Sequence, residues 1–298
     1  MPTCIKDYLI VFSAGLCLST CATADVQASP EQFSLLSRAG AIHLDIQLDR
    51  TQRQWLQNKR ELVVGTSAPD YPPFDITSSG HDYEGLTADY TGLLAKTLAL
   101  PVKVLRYPSR EASIRALEAG EIDLLGSANG FEAANPHLTL SEPYAVDQPV
   151  LVTREGETRS LSDGLAGLRL SLVYHYLPLR EVEKLYPDAI IRTYPSYQNA
   201  LNAVAFDQSD VFLGDTISTH YMINKGYLKN IHMANFGKHE AYGFSFALRQ
   251  DQHILRSIVD AVLAAVPTNE RENIAKRWSA DQFWNEGNSF GGLRRGKA

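Results

Sequence analysis

The stretch Ser109-Arg110-Glu111-Ala112-Ser113-Ile114-Arg115-Ala116-Leu117-Glu118-Ala119-Gly120-Glu121-Ile122-Asp123-Leu124-Leu125-Gly126 decides the fold. Its first half spaces apolar residues as a helix does and stops at Gly120; its second half is a short apolar run entered by Asp123. That pattern predicts a helix, a reverse turn and a buried strand. The unit returns 87 residues later as Ser196…Leu201-Asn202-Ala203-Val204…Asp210-Val211-Phe212, with Gly126 and Gly214 slipping by one position. A duplicated helix–strand unit implies two α/β lobes, not one continuous sheet. Asp123 and Asp210 open their strands, at the end away from any ligand, so both are expected to be structural.

Around this repeat the α/β pattern continues. Leu62-Val63-Val64-Gly65 reads as a short buried strand, followed by a loop rich in Pro and aromatics. Ala88 to Leu100 reads as a helix, and Val102-Lys103-Val104-Leu105 and Leu170-Ser171-Leu172-Val173 as further strands. Short apolar strands alternating with helices predict mostly parallel sheets covered on both faces. Ligands of such lobes sit outside the carboxyl ends of the strands. The loops after Gly65, Gly126, Val173 and Gly214 should therefore line a cleft that excludes water when the lobes close.

Composition narrows the function class. The 298 residues carry a net charge of −6, from 28 Lys and Arg against 34 Asp and Glu, and no long basic run. Nucleic acid and an anionic membrane surface are disfavoured as partners. Tyr8-Leu9-Ile10-Val11-Phe12 through Leu18 is apolar, too short to span a bilayer, and ends in Ala22-Thr23-Ala24. This reads as a cleaved secretory signal peptide over residues 1–24, and hence as export to the periplasm. Cys21 could instead be a lipoprotein site, but Thr20 before it is larger than such sites prefer. All three cysteines (Cys4, Cys17 and Cys21) lie inside that segment, so a disulfide framework, a thiolate nucleophile and a Cys-ligated metal are not expected in the mature protein. Residues 25–60 form a mixed lead-in in which Asp49-Arg50-Thr51-Gln52-Arg53-Gln54-Trp55-Leu56 has helical spacing.

An ordered series of motifs resembles the bacterial extracellular solute-binding proteins of family 3. In lobe 1 these are Leu62-Val63-Val64-Gly65-Thr66, Tyr71-Pro72-Pro73-Phe74, Tyr83-Glu84-Gly85-Leu86-Thr87-Ala88-Asp89, Ala119-Gly120-Glu121-Ile122-Asp123-Leu124 and Leu140-Ser141-Glu142-Pro143-Tyr144. In lobe 2 they are Leu161 to Gly167 and Gly214-Asp215-Thr216…Tyr221; Tyr242-Gly243-Phe244…Leu248-Arg249 and Arg277-Trp278 close the series. The resemblance implies a two-lobed, periplasmic-binding-protein-like (Venus flytrap) α/β fold with two crossover strands, near Pro149 to Arg154 and Phe236 to Tyr242. The expected division is lobe 1 over 61–152, lobe 2 over 153–237, a return to lobe 1 over 238–280, and a flexible tail over 281–298. Thr51 to Leu56 narrows the resemblance to the flytrap domains of tandem-flytrap hybrid sensor kinases of the BvgS/EvgS type. No second flytrap, membrane helix or kinase follows, so the chain reads either as a stand-alone relative or as a piece of a longer sensor.

Family members that bind amino acids place an Arg after the third lobe 1 strand to hold the ligand carboxylate. Here Ser127-Ala128-Asn129-Gly130-Phe131-Glu132-Ala133-Ala134 has none, and the matching lobe 2 helix start reads Tyr174-His175-Tyr176. Asp215, which in the family faces the ligand ammonium, is retained. The expected pocket is aromatic and acidic: Tyr71, Phe74, Tyr174, His175 and Asp215, with Ser127 and Asn129 as polar contacts. Such a pocket suits an organic cation or a flat ring and not a standard α-amino acid. Phe74 reads equally as lobe core, and Asp215 equally as the cap of a helix starting at Thr216.

Enzyme readings are weaker. His239-Glu240 lacks the second His of an H-E-x-x-H zinc helix, and no G-x-S-x-G elbow or phosphate-binding loop occurs, so no catalytic residue, metal or cofactor is assigned. The expectation is a non-enzymatic sensing domain whose partners are a small molecule and a membrane sensor kinase. The alternatives are the delivery protein of an ABC permease and a dehydratase resembling those that act on cyclohexadienyl acids.

Overall fold

The computed structural model describes residues 29–146, 148–225, 228–240 and 243–279. The signal segment and the 281–298 tail lie outside them.

The first lobe runs through β1 (Glu31–Leu35), α1 (Arg50–Asn58), β2 (Leu62–Ser67), β3 (Asp82–Tyr83), α2 (Leu86–Leu98), β4 (Val102–Tyr107), α3 (Arg110–Ala119), β5 (Leu124–Ala128), α4 (Gly130–Ala133), β6 (Leu138–Leu140) and β7 (Ala145–Val146). The second lobe holds β8 (Pro149–Arg154), β9 (Arg169–Val173), α5 (Leu179–Leu185), β10 (Ile190–Tyr194), α6 (Tyr197–Ala205), β11 (Val211–Asp215), α7 (Thr216–Asn224) and β12 (Ile231–Phe236). The chain then returns to lobe 1 as β13 (Gly243–Arg249), α8 (His253–Ala265) and α9 (Thr268–Trp278).

Each lobe is built on its own sheet. Lobe 1 orders its strands β3-β1-β4-β2-β5-β13-β6, with β7 also on β13; lobe 2 orders them β10-β9-β11-β8-β12. In lobe 1, β2 runs parallel to β4 and β5; in lobe 2, β9 runs parallel to β10 and β11. The strands that flank the two crossings pair with one another: β7 pairs antiparallel with β13 in one sheet, and β8 with β12 in the other. β8 pairs wholly within the second sheet. The first crossing therefore precedes Pro149, a few residues earlier than the expected boundary at 152. Tyr242, at the end of the second expected crossing, lies outside the described residues.

The repeated unit keeps its local chemistry. Ser109 caps α3 by accepting the Ala112 N–H at 3.1 Å, and Ser196 caps α6 by accepting the Asn199 N–H at 3.0 Å. β5 and β11 are buried along their whole length, which is why both read as continuous apolar runs and not as alternating ones.

Two family motifs turn out to join parts of lobe 1. Gly85 caps α2 at φ 128°, and a Cβ there would come within 2.2 Å of the Phe74 carbonyl oxygen. The close approach lets the first α2 amides donate to the Tyr-Pro-Pro-Phe loop: Leu86 N to Pro73 O at 2.9 Å and Thr87 N to Phe74 O at 3.1 Å. Asp89, fully buried in α2, accepts Arg277 Nη1 and Trp278 Nε1, each at 2.8 Å. The closing Arg-Trp pair thus ties α9 to α2.

The lead-in is part of lobe 1. β1 pairs antiparallel with β4, and α1, closed by an Asp49–Gln52 capping box, packs on α8 with Gln52 Nε2 2.9 Å from Ser257 Oγ. Five mostly exposed residues with one inward Phe33 gave no strand period; β1 takes its structure from its neighbours.

Candidate functional site

The carboxyl ends of β2, β5, β9 and β11 carry the loops that face each other across the two lobes. Tyr71 sits in the loop after β2, held in a tight turn by Phe74 N to Tyr71 O at 2.9 Å. Asp215 ends β11, and its Oδ1 accepts the Ser218 N–H at 2.7 Å, capping α7. Its other oxygen, Oδ2, accepts the Tyr71 hydroxyl at 2.8 Å. This bond joins the lobes, and both ends are buried, with Asp215 fully enclosed.

Burial pushes the Asp215 carboxyl up, and the Ser218 N–H and the Tyr71 hydroxyl pull against that rise. The carboxylate is therefore a costly charge inside the closed cleft, stabilised by dipoles and, among the described residues, by no salt-bridging cation. Around it the aromatic wall is continuous. The Tyr71 ring centroid lies 5.6 Å from His175, 5.5 Å from Tyr197, 5.7 Å from Phe74 and 6.1 Å from Phe244.

A second contact closes one side of the cleft. Tyr174 donates its hydroxyl to Glu111 Oε2 at 2.7 Å, and its ring meets Phe131 edge-on at 6.1 Å. Beside it, burial and then the charge of Arg110 push the His175 imidazole down to about 3, so the ring is neutral at ordinary pH.

Tyr71, Tyr174, His175 and Asp215 thus come together across the lobes, while the other expected contacts stand differently. Phe74 is fully buried inside lobe 1, its centroid 4.0 Å from that of Phe244. Ser127, at φ 49°, gives its N–H to Tyr144 Oη at 2.7 Å and its hydroxyl to Asp75, a buried carboxyl that also accepts from Tyr83 at 2.6 Å. The Ser127 side chain is committed to its own lobe. Asn129 caps α4 through Oδ1, 3.1 Å from Phe131 N, while its buried Nδ2 has no hydrogen-bond partner among the described residues. No helix starts at Tyr174-His175-Tyr176: Pro178 caps α5, and helix begins at Leu179.

Two residues of the cleft were not picked out from the sequence. Tyr197, the first residue of α6, donates to Asp215 O at 2.9 Å and lies 2.5 Å from Thr219 Oγ1. Arg110, the first residue of α3, is buried and clamped by Glu132 Oε1 at 2.7 Å and Gly126 O at 3.0 Å. They occupy equivalent positions of the repeat, 87 residues apart, and that equivalence is the signal that could have found them.

The family model for bacterial extracellular solute-binding proteins, family 3, matches residues 62–281. Virulence sensor protein BvgS of Bordetella parapertussis is 41% identical over 273 residues, covering 92% of this chain and 22% of that protein. Sensor protein EvgS of Escherichia coli K12 is 24% identical, covering 91% of this chain and 23% of its own length. The chain thus spans about a fifth of the length of the curated relatives it matches. The crystal structure of the Bordetella pertussis BvgS periplasmic domain matches with a TM-score of 0.74 at 40% identity, over 83% of this chain and 48% of that one. The BvgS VFT2 domain shares the fold, with a TM-score of 0.72 at 23% identity, over 78% of this chain and 100% of that one.

Proposed function

This chain belongs to the bacterial extracellular solute-binding proteins, family 3, and we propose that it is a periplasmic sensing input domain for two-component signalling. Its lobes close over a small cationic or aromatic ligand that is not a standard α-amino acid. Its relatives at 41% identity are named as sensor proteins, which favours sensing over catalysis.

The observation that carries this reading is the Tyr71–Asp215 bond across the lobes. A buried carboxylate whose pKa is raised by burial gains from a cation, and here the Tyr71 hydroxyl stands where a ligand ammonium would donate. A ligand that makes contacts on both lobes favours the closed arrangement by those differential contacts alone. Asn129 Nδ2, which has no hydrogen-bond partner among the described residues, offers a second, neutral donor to an acceptor on the ligand. Tyr71, Tyr197 and His175 supply ring faces.

The test has two steps. A thermal-shift screen over amines, aromatic acids and amino acids identifies the ligand. The domain then replaces the matching flytrap of BvgS, and kinase output is read from a reporter as that ligand is titrated. Sensing predicts output that follows the binding curve. Output that stays flat at saturation, with ligand uptake depending on a permease, would assign the chain to transport.

A further inference from the structure

A groove lies beside the loop that carries Tyr71, lined by the two residues that flank it in the chain. Its volume is about 340 Å³ and its walls come from both lobes. Lobe 1 contributes Pro69, Pro72 and Ile76 to its apolar lining and lobe 2 contributes Tyr221 and Met222, with Ser78, Ser196 and Gln198 as neutral polar neighbours. One charge of each sign also lines it, Asp70 on lobe 1 and Lys225 on lobe 2.

The two charges are differently prepared. Asp70 accepts the Thr77 N–H on Oδ2 at 2.8 Å and the Thr77 hydroxyl on Oδ1 at 2.5 Å, which fixes its orientation and leaves a lone pair on each oxygen. Lys225 is exposed and forms no ion pair among the described residues; its Nζ lies 4.7 Å from the centroid of the Tyr221 ring. Charges of opposite sign, one from each lobe, in a groove otherwise lined largely by apolar side chains match a molecule with an ammonium at one end, a carboxylate at the other and methylenes between. A groove of this volume has room for several methylenes between two charged ends.

We propose that this groove binds a small ω-amino-acid-type zwitterion, its ammonium on Asp70 and its carboxylate on Lys225. The proposal goes beyond the ligand of the central cleft and rests on the closed arrangement of the lobes. Because Asp70 and Pro72 flank Tyr71 in the chain, a ligand here holds the Tyr71 loop against lobe 2. It binds the closed form better than the open one, and so shifts the population toward closure.

Titration calorimetry on the exported protein tests this with 6-aminohexanoate and 4-aminobutyrate against hexylamine and hexanoate, which each lack one charge. At least one zwitterion is expected to bind about tenfold more tightly than either single-charge analogue, and Lys225→Gln, an exposed change, is expected to erase the preference. Asp70→Asn should erase it from the other side. Equal binding of hexylamine or hexanoate, unchanged affinity in Lys225→Gln, or no heat with either zwitterion at millimolar concentration would overturn the proposal. The measurement needs no kinase, so failure of the sensing reading would leave these affinities untouched, and their failure would leave the central cleft standing.

Discussion

Asp123 and Asp210 play the same part in the two lobes: each carboxylate accepts, at 2.8 Å, the backbone N–H of a residue on the neighbouring parallel strand, Val63 in one and Arg169 in the other. Each also donates its own N–H at 2.8 Å to the carbonyl of that same residue. The pairing locks the register of β2 with β5 and of β9 with β11 at their entry ends. A cation finishes each knot, Lys59 on Asp123 at 2.6 Å, and Arg159 and Arg169 on Asp210 at 2.9 and 2.8 Å.

Asp210 is the more deeply engaged of the two, so Asp210→Ala is expected to destabilise lobe 2 by about 3 kcal/mol, because it strips a buried counter-charge from three arginines, Arg154, Arg159 and Arg169. The Arg169 hydrogen bonds hold its carboxyl well below the usual carboxylate range. A depressed carboxylate contributes stability above the unfolded pKa and loses it as pH falls through the folded one. Urea unfolding at pH 7 and pH 3 should therefore show the wild type approaching the variant at the lower pH. A constant gap between them would contradict this.

Phe74→Ala should cost about 3–5 kcal/mol of stability with or without ligand, since the ring is enclosed and packed against Phe244 at a tilt of 34°. Thermal melts of the ligand-free protein check it. A variant that melted like the wild type yet lost ligand would return Phe74 to the binding surface.

Much of this was legible beforehand, for physical reasons. The repeat was readable because Ser109 and Ser196 are helix caps and because strands buried on both faces cannot hide their apolar runs. Asp215 as a cap was readable from its place before Thr216. The role of Ser127 was not: its hydroxyl partner, Asp75, lies 52 residues earlier, and nothing local records that contact. Phe74 was ambiguous because an aromatic in a cleft loop can point either way. Tyr197 looked like an ordinary helix residue because its partner Asp215 lies at the far end of the next strand.

The closed cleft should loosen in mild acid. His175 is pushed down to about 3 by burial and by Arg110, against about 6.5 when unfolded. The unfolded chain therefore binds the extra proton first, and the contribution of His175 is complete above about pH 6.5 and shrinks as pH falls toward 3. His239, pushed down to about 4 by burial, acts in the same direction, while the raised Asp75 and Asp215 oppose it. The His175 share is thus the difference between wild type and His175→Asn in melts at pH 7.5 and pH 5. The wild type should lose more on acidification than the variant; equal losses would refute the assignment.

Asp215→Asn keeps the shape and the cap but removes the charge. For a cationic ligand, affinity should fall about ten- to a hundredfold, the loss of a charge-assisted contact of roughly 1.5–3 kcal/mol. Calorimetry with the ligand from the thermal-shift screen reads it, and an unchanged affinity would leave Asp215 a helix cap only.

The central claim is that the Tyr71–Asp215 bond couples closure to the ligand site. Small-angle scattering of the wild type and Tyr71→Phe, each with and without the screened ligand, tests it most directly. The ligand-free wild type should scatter as the closed form, and ligand-free Tyr71→Phe should have the larger radius of gyration. Saturating ligand, bridging Asp215 and the rings of lobe 1, should bring the variant back to the wild-type value. Identical profiles for all four samples would contradict the claim, and the cleft between these two residues would then be neither latch nor site.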